Sequence, residues 1–128
     1  IVGASARPQP LFVEIVGAQA TSEFNSFRYT LLMQIQQLID AIQTTPNDPG
    51  LHYELGGLYL ANHDTQSALL AYQQALALAP NHPQILLQLG NTESAAQRFT
   101  QAAEYFKQCI HVQPNNAAAH YNLGNAYI

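Results

Sequence analysis

The stretch Pro49-Gly50-Leu51-His52-Tyr53-Glu54-Leu55-Gly56 decides the reading, because its parts return further along the chain. Leu55-Gly56 comes back as Leu89-Gly90 and again as Leu123-Gly124. Ala68 comes back as Ala102, Tyr72 as Phe106, and Pro80-Asn81 as Pro114-Asn115, with Pro46-Asn47 one period upstream. The spacing is 34 residues each time. A unit of that length cannot bury its own apolar face, so neighbouring units must stack to share a core.

Inside one period the pattern is Leu-Gly-x-x-Tyr, then Ala, then an aromatic residue, then Pro. On these residues the chain resembles the tetratricopeptide-repeat (TPR) family, clearly over 46–128 and in part over 31–45. The resemblance implies an all-α fold: a TPR superhelix of antiparallel helix hairpins, about two and a half repeats long. The repeats are 49–82, 83–116 and a partial 117–128.

The local signals agree. Asn47 or Asp48 can cap the first helix, and Pro49 suits its first turn, where a missing N–H costs nothing. Leu51, Leu55, Leu58 and Tyr59 make one apolar stripe, and Ala68, Leu69, Tyr72, Ala75 and Leu76 make the facing one. Gly56 and Ala68 are small so that the two helices can approach. The family usually has Gly at His63, so Asn62 is expected to take the left-handed turn conformation instead. The second repeat departs once: Glu93 stands where Tyr59 stands, and Arg98 across the turn is its expected partner. Cys109 falls at the place of Ala75 and reads as a small core residue; no internal disulfide is possible with one cysteine.

Upstream, Phe24, Phe27, Leu31, Ile35, Leu38, Ile39 and Ile42 follow at helical spacing, with Thr21 or Ser22 as a cap. Leu38, Ala41 and Pro46 match Tyr72, Ala75 and Pro80, but the residues before them do not match a first helix. One long helix over 21–45, covering the edge of the solenoid at 46–128, is therefore expected. Residues 1–20 contain Pro8 and Pro10 and the β-branched run Leu11–Val16, which reads as an extended tail or linker. At the other end the outer face of the last helix keeps Tyr121, Tyr127 and Ile128. A continuation of the chain, or another molecule, is expected to cover it.

Composition narrows the function. Charged residues are 9% of the 128, against about a quarter in an average soluble domain. Only four are Lys or Arg and the net charge is −4, which argues against nucleic acid and against a polybasic membrane patch. The five histidines lack metal-ligand spacing, and no nucleophile–base motif occurs. The reading is thus no enzyme, no metal and no cofactor, in a soluble fragment with the cytoplasm as the favoured compartment.

The resemblance implies that first helices line a concave groove. Its expected partner-binding residues are Tyr53, Gly57, Leu60, Gln84, Leu87, Gln88, Asn91, Tyr121, Asn122 and Asn125. None is cationic, so the Lys/Arg clamp with which some relatives hold a C-terminal carboxylate is absent. The expected ligand is an apolar or neutral peptide or protein segment, its backbone held by amides and its side chains by Tyr53, Leu87 and Tyr121. Two alternatives stand beside this: a recruiting arm of a larger enzyme or assembly factor (glycosyltransferase or cytochrome c maturation type), and self-association through the exposed terminal helices.

Overall fold

The computed structural model describes residues 11–127, with side chains from Ser22 onward. Six helices follow one another: α1 Leu11–Thr44, α2 Pro49–Ala61, α3 Thr65–Leu78, α4 Pro83–Ala95, α5 Phe99–Val112 and α6 Ala117–Ala126. α2 packs on α3 and α4 on α5 as hairpins; α1 covers α2, α3 meets α4, and α6 lies on α5 with a lighter contact to α4.

The helix ends follow from the residues placed there. The Asp48 carboxylate accepts the Gly50 N–H at 2.9 Å, Asp64 accepts Ser67 N–H at 3.1 Å, and the Asn116 side chain accepts Ala119 N–H at 2.9 Å. Each satisfies a donor that the first turn leaves open. α1 stops at Thr44, two residues before Pro46, and the Thr45 hydroxyl closes the end by donating to the Ala41 carbonyl at 3.1 Å.

Equivalent positions have equivalent surroundings. Ala68 and Ala102 are fully buried, as are Ala75 and Cys109. A Cβ added to Gly56 would stand 2.6 Å from the Tyr72 ring, and one added to Gly90 would overlap the Phe106 ring. Each glycine therefore marks where an aromatic residue of the partner helix lies against bare backbone. Leu55 is buried with Leu31, Ile35 and Ala71; Leu89 with Leu69 and Tyr72; Leu123 packs on the cluster that holds Leu86 and Phe106. Phe106, Leu86 and Leu89 are the largest fully enclosed apolar side chains. Burying each contributes about 1.5–3 kcal/mol.

Three expectations need correction. The helix does not begin near Thr21: α1 runs unbroken from Leu11, so the run Leu11–Val16 is helical and Thr21 and Ser22 cap nothing. β-branched residues lower helix propensity only slightly, and from Leu11 to Thr44 the sequence has no proline, only Gly17, to oppose propagation. Residues 1–10 of the expected tail lie outside the described residues. Second, the left-handed turn residues are His63 (φ 60°) and, one repeat later, Gln97 (φ 63°); Asn62 stays at φ −91°. The position after the helix cap must reverse the chain, whichever residue occupies it. Third, Leu87 is a core residue, as described below.

Candidate functional site

The first helices of the repeats, α2, α4 and α6, present the expected binding residues. Tyr53 is half-buried; its ring meets Tyr72 at 5.6 Å between centroids and a tilt of 54°. It forms one wall of a hollow of about 230 Å³ completed by Pro49, Gly50, His82, Gln84 and Ile85. Tyr53 and the exposed Gln84 are thus brought together, one from each of two repeats. Burial, and then the neighbouring Tyr53, pushes the Tyr72 phenol up from 10.0 to about 12.

Further along, the Asn122 amide donates to the Asn91 side-chain oxygen at 2.7 Å. The bond links two repeats across the face. It uses one Asn122 N–H and the Asn91 oxygen, so the second Asn122 N–H and the Asn91 NH₂ take no part in it. Gln88 is half-buried, and its backbone carbonyl accepts the Thr92 hydroxyl at 2.7 Å. Asn125 is exposed, and Tyr121 is 72% exposed.

Three of the expected residues stand apart. Leu87 is only 8% exposed and packs with Leu86, Ala102, Phe106, Cys109 and Ala119. α6 is laid across it, so it supports the face from below and is no anchor for a ligand. Leu60 is half-buried against the Ala68–Tyr72 cluster. Gly57 lines not the Tyr53 hollow but a second one of about 480 Å³, with Gln34, Gln37 and Leu38 of α1 and Glu54 and Leu58 of α2. The repeat position of Gly57 places it in the groove; the α1 wall beside it is the equivalent of a second helix, but with Gln34 and Leu38 where the repeats have Ala68 and Tyr72.

No described cation lines this face, and its one described carboxylate is the exposed Glu54. Among the described residues, Arg98 pairs with Glu93 at 2.7 Å, Lys107 lies 3.8 Å from Glu104, and Arg28 sits over the Phe24 ring. None of the three lines the hollows at Tyr53 or Gly57. The Glu93–Arg98 pair answers the second repeat's departure: the carboxylate is buried at the aromatic position and its partner reaches it across the turn. His52 and His120 are structural as well. Their Nε2 atoms lie 3.0 and 2.8 Å from the carbonyls of Pro46 and Pro114. Cys109 donates weakly to the Pro83 carbonyl at 3.4 Å, and burial raises its thiol above the ordinary range. Among the described residues no group of His, Cys, Asp or Glu is arranged to hold a metal ion. No described helix is long and apolar enough to cross a membrane.

Repeated hairpins that stack through a small-residue seam define a helical-repeat scaffold. Family models described as tetratricopeptide repeat and TPR repeat match residues 49–82 and 90–128 respectively, and the chain belongs to that family. Repeats of this kind build protein–protein interaction modules. No curated protein matches the chain. Among solved structures, two of MamA superpose with a TM-score of 0.72 at 23% and 18% identity. They cover 76% and 80% of this chain, which spans 53% and 60% of theirs. The first TPR of Spaghetti (RPAP3), bound to the HSP90 peptide SRMEEVD, also superposes at 0.72, with 18% identity and 88% coverage of both chains. At such identities the likeness is one of fold.

Proposed function

We propose that the face formed by α2, α4 and α6 holds an extended, uncharged segment of another protein. An apolar side chain enters the hollow between Tyr53, Gln84 and Ile85, and the free amide groups of Asn91 and Asn122 bond the segment's backbone. Tyr121 and Asn125 lie exposed at the far end. The observation that carries this reading is the absence of cations from the face: aromatic and aliphatic surface next to amides, with no described Lys or Arg at the hollow. The RPAP3 module is bound to a peptide with three acidic residues in seven. A face without cations has nothing to offset the desolvation of such a ligand.

The test is calorimetric titration with SRMEEVD and with a neutral peptide selected from a displayed library. SRMEEVD is expected not to bind. The selected peptide is expected to bind and to lose about 1–3 kcal/mol with Tyr53→Ala or Tyr121→Ala, the usual range for anchor residues. Tight binding of SRMEEVD would refute the reading, as would unchanged affinity in both variants.

A further inference from the structure

The hollow at Gly57 has the outline of a missing helix. In the two complete repeats the second helix turns a small residue and an aromatic towards its own first helix: Ala68 with Tyr72, Ala102 with Phe106, all buried. One period earlier these positions are Gln34 and Leu38 of α1, where Gln34 is exposed and Leu38 half-buried. Thr92, on the wall of the next repeat, is buried, whereas its equivalent Leu58 is half-open. Gln34, Leu38, Glu54, Gly57 and Leu58 thus surround the place that a first helix would fill. Shifted back by one period of 34 residues, that first helix would be 15–27. These residues instead run straight on in α1, away from the slot.

The same chain carries the surplus that the slot lacks. Phe24 and Phe27 are 58% and 62% exposed. At 100° per residue they continue the stripe of Leu31, Ile35 and Ile42 that packs on α2 and α3. Among the described residues, an established apolar interface therefore runs off the end of the solenoid uncovered. We infer that a second copy of this chain fills the slot: the two α1 helices lie antiparallel, and each gives its N-terminal half to the other's vacant first-helix position. The register follows from the repeats. Gly56 lies opposite Tyr72, so position 22 lies opposite Leu38 one period earlier. Ser22–Phe27 of one copy then face Met33–Leu38 of the other, and Thr30 meets Thr30 at the two-fold axis. Such a contact is self-complementary and closes after two copies. Gly57 becomes a subunit contact, and the face at Tyr53 and Gln84 stays free, so this inference stands or falls apart from the groove.

The experiment is sedimentation equilibrium over a range of concentrations, paired with Thr30→Cys under mild oxidation. Thr30 is exposed, and the native Cys109 is buried. The expected result is a particle of twice the 14.0 kDa chain mass. T30C should link into a covalent dimer much faster than Q73C, a control thiol at an exposed site on α3. Phe24→Ser with Phe27→Ser, both outside the core, should weaken the dimer at least tenfold with helicity retained. A monomer at every concentration would overturn the inference. So would T30C linking no faster than Q73C, or dimer affinity indifferent to the two serines.

Discussion

Replacing Gly90 with Ala tests the packing seam on which the fold rests. The new methyl would come 2.6 Å from Cδ1 and 2.7 Å from Cζ of Phe106, roughly 1 Å inside ordinary contact. The ring cannot swing aside. Phe106 is fully buried and is hemmed in by Leu86, Ala102 and Cys109. Either α4 and α5 move apart or the ring leaves its rotamer, and overpacking of this kind costs about 1–3 kcal/mol. Against that, alanine gains about 1 kcal/mol of helix propensity over glycine. The net expectation is a loss of up to about 2 kcal/mol, a fall in the urea midpoint of up to about 1 M with unchanged slope. Gly124 supplies the control. It holds the same repeat position, yet a Cβ there meets nothing within 4 Å, so Gly124→Ala should raise the midpoint. Equilibrium unfolding followed by circular dichroism reads all three proteins. Equal effects of the two substitutions would refute the seam, and so would failure of Phe106→Leu to offset Gly90→Ala.

Other outcomes follow from single features. His63→Gly and Gln97→Gly should each raise the thermal midpoint, worth about 0.5–1 kcal/mol, because both exposed residues hold positive φ that glycine takes without strain. Arg98→Ala strands the buried Glu93 carboxylate and should cost about 2–3 kcal/mol in a urea titration, of which Glu93→Gln in the same protein recovers a part. Leu87→Ala should lower stability by about 2–5 kcal/mol, read in the same titration, as a core truncation does. Tyr72 binds its proton up to about 12 when folded and to its ordinary 10.0 when unfolded. The folded state then holds more protons in that interval. Stability is kept below pH 10 and falls towards pH 12 by about 2–3 kcal/mol; Tyr72→Phe should flatten the slope in unfolding titrations across that range.

The sequence made the hairpins and their seam legible because contact between helices leaves a residue-by-residue trace: Gly56 needs Tyr72 and Gly90 needs Phe106, each at the same separation. Glu93 and Arg98 were legible for a related reason, since a carboxylate at a core position has few neighbours able to answer it. α1 was half legible. Its packed half repeats Leu38, Ala41 and Pro46, but a straight helix and a hairpin share the same apolar period, so nothing local fixed where it began. The groove suffered from the opposite problem. Repeat position says which way Leu87 and Gly57 point, but not what the next element lays over them: α6 shuts Leu87 in, and α1 gives Gly57 a separate hollow. The left-handed residue moved from Asn62 to His63 because turn geometry, not side-chain preference, selects the site.

The His52 and His120 contacts to Pro46 and Pro114 carry a mechanical consequence. At the same place in the middle repeat stands Leu86, fully enclosed. Each outer joint of the spiral thus adds a polar stitch within reach of solvent to its apolar packing, while the central joint has an enclosed leucine at that place. At the two extremities this stitch can be exchanged for water, so local opening there has a route that the enclosed Leu86 does not offer in the middle.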